Sequence, residues 1–506
     1  MYRIPENVQM ALEDFELPFG GKLDAGNRWA EMSGYVPWEL VEEIYASKFK
    51  NERPDGKKPI PSRIAFGAIF IKEHENLVDV STVQHIAENP YMQFFLGLRG
   101  FQTEPLFDAS MLTHFRKRFS AEDVKRINEE LYRRMHEGRY DNNDDDTGGG
   151  DSSDTDSGSQ VTAEENSGAV MEAEDSYDDN KGTLVLDATV GPSDIRYPTD
   201  ISLLNECREE CEKMLDKLWP HTARAGHKTP YSRKKARKNY LALVKQRKPR
   251  RTAIRKAVGL QLEYLSKAIA AVEKLIAMAD GNVLPSRKLE RLRVIMEVYH
   301  QQIQMAQSGT RSCDDRIVSL RQPHVRPIKR GKAGRETEFG QKLALAVVDG
   351  FTFIEKQSWD NFAEGVTLID SAERYRERHG VYPKAILADM TYRNRKNLDF
   401  CKAHHIRLSG PRLGRPKESE REQDKQQAYQ DSCERNIVEG RNGTVKRRFG
   451  LDLVMAYLSD SAMTEAALAI FAMNVSHCMR LFMRWFCECG FRWRIAVCSD
   501  YGLVLQ

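Results

Sequence analysis

From Asp141 to Asn180 the chain carries fourteen Asp or Glu and no Lys or Arg, within a Gly- and Ser-rich text that opens DNNDDDTGGGDSSDTDSGSQ. Such a stretch cannot bury enough apolar surface to offset its ordering entropy. A disordered acidic linker is therefore expected over residues 141–181. It divides a chain of 506 residues, long enough for two or three domains with real cores, into a part before it and a larger part after it.

The linker has a mirror image. From Arg224 to Lys256 there are fourteen Lys or Arg and no Asp or Glu. The overall net charge of +3 hides this segregation; without the acidic stretch the remainder stands at +17. That balance favours a polyanionic partner such as DNA or RNA. The matched counts also suggest that the acidic segment competes for the basic surface and is autoinhibitory. Deleting 141–180 would then tighten non-specific DNA binding at low salt.

Hydrophobic and charged contents of 41% and 30% fit a soluble globular protein. No apolar run reaches the roughly 18 residues of a membrane span, and MYRIPENVQM lacks the regions of a signal peptide. Nine cysteines, an odd number, point to reduced thiols and a cytoplasmic setting. Cys478, Cys487, Cys489 and Cys498 with His477 lack paired CxxC spacing, so buried or idle thiols are favoured over zinc.

Residues 1–140 read as all-α. Pro37 opens the amphipathic segment WELVEEIYASKF. From Pro61 come PSRIAFGAIFIKEHENL, DVSTVQHIAENPYMQFFLGL and DASMLTHFRKRFS, with Ser81 or Thr82, and Asp108 or Ser110, as N-caps. Three short helices with Gly/Pro punctuation suggest a helix-turn-helix-like DNA-binding domain. The last carries His114, Arg116, Lys117 and Arg118, a DNA-contacting face or an ordinary solvated one.

After the linker, TLVLDAT is a strand. A helical insertion is expected over 205–310. Its basic tract holds Lys234, Lys235, Arg237, Lys238, Arg250 and Arg251, better read as a nucleic-acid contact than as one solvated face. Two amphipathic segments closed by DGNVLP form a helical hairpin. Residues 311–340 read as loop. QKLALAVVDGFTFIEKQSWD is two strands joined at Asp349-Gly350. A helix ending at Gly380, the strand KAILAD, a helix, the strand IRLSGP and further helices follow. That is the element order of an RNase H-like α/β domain over 182–480, with a C-terminal tail at 481–506.

Three acids stand out. Asp187 and Asp389 each end a short apolar β-type run, and Glu439 lies in the polar helical stretch RNIVEGRNGTVKRRFG. Two strand-end carboxylates and one helical carboxylate can hold a pair of divalent cations for phosphodiester chemistry. Arg435, Glu439 and Lys446 stand at i, i+4 and i+11, about three helical turns, and so share one face. This face is a salt-bridge ladder or, beside two other carboxylates, a metal ligand flanked by phosphate-binding cations. Asp194 and Asp200 read as turn and cap residues, and Asp349 as a turn former.

On these motifs the chain resembles a DDE transposase of a bacterial or archaeal insertion sequence, in the IS-five-like branch with a Tyr-Arg-Glu-Lys signature. Arg435, Glu439 and Lys446 match the last three members in spacing; Ser432 stands where the tyrosine is expected, with Tyr429 three residues earlier. LVLDAT and Asp389-Met390-Thr391-Tyr392 match the first two catalytic segments. SGPRLGRPK and NRWAEMSGYVPWELVEEIY also resemble this branch. The resemblance implies two magnesium (Mg²⁺) or manganese (Mn²⁺) ions, Asp187 bridging both and Asp389 and Glu439 holding one each. It implies that Arg435, Arg441 and Lys446 bind phosphates, and that the substrates are the double-stranded DNA of transposon terminal inverted repeats and a target. A homodimer or higher oligomer on DNA is expected. A metal-dependent nuclease without strand transfer, and an inactive transposase-derived DNA-binding protein, remain the alternatives.

Overall fold

The computed structural model describes residues 11–17, 21–49, 59–140, 180–222, 229–279, 283–332, 335–411 and 421–500. The acidic segment 141–179, the RLGRPK loop and the last six residues lie outside them, and with them all but the last two residues of the linker expected at 141–181 and its autoinhibitory role.

The N-terminal helices are α1 (Arg28–Tyr35), α2 (Trp38–Ser47), α3 (Ser62–His74), α4 (Asp79–Glu88), α5 (Pro90–Phe95), α6 (Met111–Arg118) and α7 (Ala121–Tyr140). Ala65, Phe66, Ala68, Ile69, Phe70 and Ile71 of α3 are all fully buried, so this helix is apolar around its circumference and must lie inside. Asn27 and Asn89 cap α1 and α5 with their side chains. Ser110 precedes α6 as expected, but α4 starts at Asp79, so Ser81 and Thr82 lie within its first turn. Thr82 is too deep in that turn to cap it; its hydroxyl donates back to Val78 O.

The sheet contains β1 (Thr183–Pro192), β2 (Arg326–Lys332), β3 (Arg335–Val348), β4 (Phe351–Ser358), β5 (Ala385–Leu387) and β6 (Arg407–Leu408). Its order is β2-β3-β1-β5-β6, with β4 also pairing β3. β1 is antiparallel to β3, as β3 is to β2 and β4, while β5 and β6 run parallel to β1. At the β3–β4 turn Val348 pairs with Phe351, and Asp349 (φ 49°) and Gly350 (φ 82°) are both left-handed, as a two-residue hairpin turn requires. Of the loop expected over 311–340, 311–325 forms no helix or strand, whereas the rest is instead β2 and the start of β3. Among the described side chains of RPIKRGK only Ile328 is buried, so pairing with β3, not side-chain pattern, makes it a strand.

Between β1 and β2 the chain forms α8 (Asp200–Leu218), α9 (Arg233–Val244), α10 (Arg251–Met278) and α11 (Ser286–Ser308). They close over their own core, which includes Leu204, Cys207, Cys211, Leu265, Val272 and Ile295. That core also takes in Leu203, Ile317 and Leu320, so the helical unit outreaches the expected 205–310 at both ends.

The remaining helices are α12 (Leu368–His379), stopped by left-handed Gly380, α13 (Arg395–Ala403), α14 (Arg421–Arg448) and α15 (Ser459–Asp500). α15 runs through the point at 481 where a separate tail was expected. Its segment Ser459–Met483 is, among the described residues, the one helix long and apolar enough to cross a membrane, against the expectation of no such run. The fold uses it as an interior helix. Phe471 meets Phe66 and Phe70 with ring centroids 5.8 and 5.7 Å apart. Asn474 Nδ2 donates to Asn128 Oδ1 and Thr352 O, and Thr464 Oγ1 donates to Phe119 O. Through α15 the N-terminal helices and the sheet share one continuous apolar core.

Candidate active site

The parallel ladder between β1 and β5 pairs Thr183 with Ala385, Leu184 with Ile386 and Val185 with Leu387. Asp187 and Asp389 each follow the last pair by two residues. They therefore lie at the same level on neighbouring strands, which run about 4.8 Å apart, just past the last rung of the β1–β5 ladder. Only Asp389 stands at a strand end, because β1, kept in the sheet by its pairing with β3, runs on to Pro192 and leaves Asp187 in mid-strand rather than at the strand end expected. Asp187 is still held in the sheet, opposite Leu345 of β3. Asp389 has left it: its carboxylate accepts from Met390 N at 2.7 Å and caps the short 3-10 turn Met390–Tyr392. Both side chains are half-buried.

α14 lies across this end of the sheet. Val438, Val445 and Phe449 form its buried stripe, and Val438 seats on Val185, Val347, Ala385 and Leu387. Asp431, one further buried position on the helix, accepts from Arg407 Nη1 at 2.7 Å and ties α14 to β6. Asn442, four residues after Val438, donates from Nδ2 to Asp187 Oδ2 at 2.8 Å. Glu439 flanks the stripe and is exposed. Arg435 and Lys446 are half-buried, and Arg435 Nε is buried without a hydrogen-bond partner. Ser432 and Tyr429 are both exposed.

Asp187, Asp389 and α14 are thus brought together, but not as a closed ligand cage. Among the described residues no group of three or more His, Cys, Asp or Glu is placed to hold a metal ion. The donor set nonetheless suits a hard divalent cation, because its members are carboxylate and amide oxygens. Asn442 Oδ1 is buried without a hydrogen-bond partner next to Asp187, a position that a cation would satisfy.

Two further residues belong to this neighbourhood. Tyr392 is fully buried, and burial pushes its hydroxyl up, followed by the negative charges of Glu364, Asp187 and Asp389. It is a neutral phenol here. Glu364 pairs with Lys342 Nζ at 3.0 Å and lies within 3.5 Å of the Thr391 hydroxyl. No local pattern in NFAEGVT marks it; only the return of the chain from β4 to α12 brings it close.

Several expected DNA-binding cations face inward. Arg441 donates to His477 Nδ1 at 3.0 Å, and burial, then Arg480, lowers it to about 10. Arg116 is 8% exposed and holds Asp79 with two bonds of 3.0 and 2.9 Å. Arg118 covers the Phe49 ring at 4.7 Å and donates to the Tyr45 hydroxyl. The reason is shared: α6 and α14 are short of apolar residues at core-facing positions, and their arginine stems fill the gap while the heads find partners. On α6 Lys117 and His114 remain exposed. On the insertion, Lys234, Lys235, Arg237, Lys238, Arg250 and Arg251 are all exposed, and Arg233 pairs with Asp216.

The C-terminal thiol and imidazole are core groups. Burial pushes Cys478 up to about 12, and burial, then the Arg441 charge, pushes His477 down to about 4. The side chains of Cys487, Cys489 and Cys498 lie outside the described ones.

Residues 386–476 match the model of a family described as a transposase DDE domain, and residues 18–118 match that of a transposase domain. The first match runs from β5 through Asp389 and Glu439 into α15. The second takes in α1 to α6. Among curated proteins, the chain is 32% identical over 96 residues to an uncharacterized protein, ORF8 in the nfe locus, of Rhizobium meliloti. That stretch is 19% of this chain and 45% of the relative, so the chain spans less than half the length of the curated protein it matches. No solved structure matches the chain. Both family matches support a transposase function.

Proposed function

We propose that the protein is a DDE transposase of an insertion sequence that cleaves transposon ends and joins them to target DNA. The observation that carries this reading is the common level of Asp187 and Asp389 just past the end of the β1–β5 ladder, with the Glu439 helix packed across it. The sheet is read as RNase H-like. Antiparallel strands on one side of β1 and parallel strands on the other support that reading, as do an acid within β1 and one just after β5. Residues 182–480 are then the catalytic domain, and the helices of 1–140 bind DNA.

Asp187, Asp389 and Glu439 would hold two Mg²⁺ or Mn²⁺ ions, which when bound polarise the scissile phosphodiester and neutralise charge developing on its oxygens. The chain's own residues do the rest. Val438 fixes the height of α14 over the sheet. Asp389 is oriented by Met390 N, and Asp187 by Asn442. Arg435 and Lys446 flank Glu439 as phosphate clamps. The exposed cations of α9 and the start of α10 bind duplex outside the reacting bond. The substrates are double-stranded terminal inverted repeats and target DNA, bound by a homodimer or higher oligomer in the cytoplasm. The Arg435–Glu439–Lys446 spacing favours the IS-five-like branch.

A strand-transfer assay with a precut 3′-OH end tests the reading. Integration products are expected. Metal-dependent cutting with no joined product would sink the transposase reading in favour of a plain nuclease.

A further inference from the structure

We infer that Asn442 is a positioning residue of this site: its amide orients Asp187 and presents Oδ1 as a further oxygen to the divalent cation. The inference rests on the metal-dependent reading above.

The argument starts from helix periodicity. On α14, Val438, Asn442 and Val445 stand at i, i+4 and i+7, a single stripe facing the sheet that Phe449 continues just past the helix end. Val438, Val445 and Phe449 are 1%, 0% and 0% exposed. Asn442 is therefore a polar side chain set between the apolar Val438 and Val445. Asn is a poor choice for a helix interior on propensity alone, because its side chain competes for backbone hydrogen bonds. Packing does not call for it, and neither does helix formation.

Its contacts point to a different role. Nδ2 donates to Asp187 Oδ2 at 2.8 Å, so one end of the amide holds the carboxylate that enters the site from β1. The other end, Oδ1, is buried and without a hydrogen-bond partner. A buried acceptor left over beside a carboxylate is unfavourable unless a positive group completes it. A divalent cation shared by the carboxylate and the amide oxygen does so with oxygen ligands of the right hardness. Glu439 lies three residues before Asn442, on the adjoining part of the same helix surface. One helix thus delivers a carboxylate and an amide together, and Val438 sets the height of both.

The test is Mn²⁺ binding to the full-length protein without DNA, read by the paramagnetic resonance of free Mn²⁺, with thermal melts as the folding control. Asn442→Leu suits the apolar stripe and should melt at or above the wild-type temperature while binding Mn²⁺ roughly 10–100-fold more weakly, the range for loss of an outer partner of a metal site. Asn442→Asp restores an oxygen and should recover most of that affinity. Wild-type Mn²⁺ affinity in Asn442→Leu, with Asp187→Asn impaired, overturns the inference alone. Wild-type affinity in Asp187→Asn overturns the metal site itself, and this inference with it.

Discussion

Asn442 and Asp187 are 255 residues apart in sequence and joined by a 2.8 Å hydrogen bond, a direct side-chain link between α14 and the middle of β1. The bond matters because the two elements approach from different parts of the chain. β1 follows the acidic segment, whereas α14 follows the last strand. The register that sets Asp187 level with Asp389 is thereby extended to a third element.

If these carboxylates do the chemistry, each should be needed and none should be needed for binding. Asp187→Asn, Asp389→Asn and Glu439→Gln should each lower Mg²⁺-dependent cleavage of terminal-repeat DNA by at least ~10³-fold, about 4 kcal/mol of barrier. Retardation of the same DNA in gels should be unchanged within a factor of a few. Near-normal cleavage by any one variant removes that residue from the site.

Val438 offers a separate test of how α14 is held. It is 1% exposed and packs on four apolar side chains from β1, β3 and β5. Val438→Ala removes two buried carbons, at a cost of about 2 kcal/mol. If the helix height matters to Glu439 and Asn442, cleavage should fall by more than the loss of folded protein in a denaturant titration explains. A drop matching the folded fraction would make Val438 a packing residue alone.

His477 should leave a signature in acid. Burial, then the Arg441 charge, lowers it from 6.5 to about 4, while Nδ1 accepts from Arg441 and Nε2 faces Asp349 O at 3.3 Å. The folded state thus prefers the neutral ring. Its contribution is full above pH 6.5, where the unfolded histidine is also neutral. It is lost as pH falls from 6.5 towards 4, because the unfolded state takes up the proton first. After allowance for partial exposure the limb is on the order of 1–2 kcal/mol. Urea titrations from pH 7 to 4 should show a shallower decline for His477→Gln than for wild type. Parallel declines would mean that the ring is not held neutral.

The sequence shows some of this architecture and hides the rest for identifiable reasons. Asp187 and Asp389 are legible because a short apolar run ending in an acid is a local pattern. The Asp349-Gly350 turn and the Gly380 stop are legible because left-handed backbone selects its residues. β2 is hidden because its strand character comes from pairing with β3. Glu364 and Asn442 are hidden as partners because each reaches the site through tertiary packing, whereas Tyr392 follows Asp389 in the same local motif. Arg116 and Arg441 mislead because a basic residue on a helix looks the same in sequence whether its stem fills a core gap or its head meets solvent.

That ambiguity separates two basic surfaces. On α6, Arg116→Ala should cost on the order of 2 kcal/mol in thermal melts, since it leaves Asp79 without its partner, and should change DNA binding only through folding. On the insertion, Lys234, Lys235, Arg237 and Lys238 are exposed, and the same helix lies within a tract without acids. Their joint replacement by Gln should leave the melt within about 0.5 kcal/mol, as surface changes do. Binding should weaken about equally on terminal-repeat and unrelated duplexes. The slope of log affinity against log salt should shrink by roughly 0.9 for each phosphate that the variant no longer neutralises. Fluorescence anisotropy across a salt series reads both. An unchanged slope would show that α9 carries its charge for solubility and that the duplex lies elsewhere on the protein.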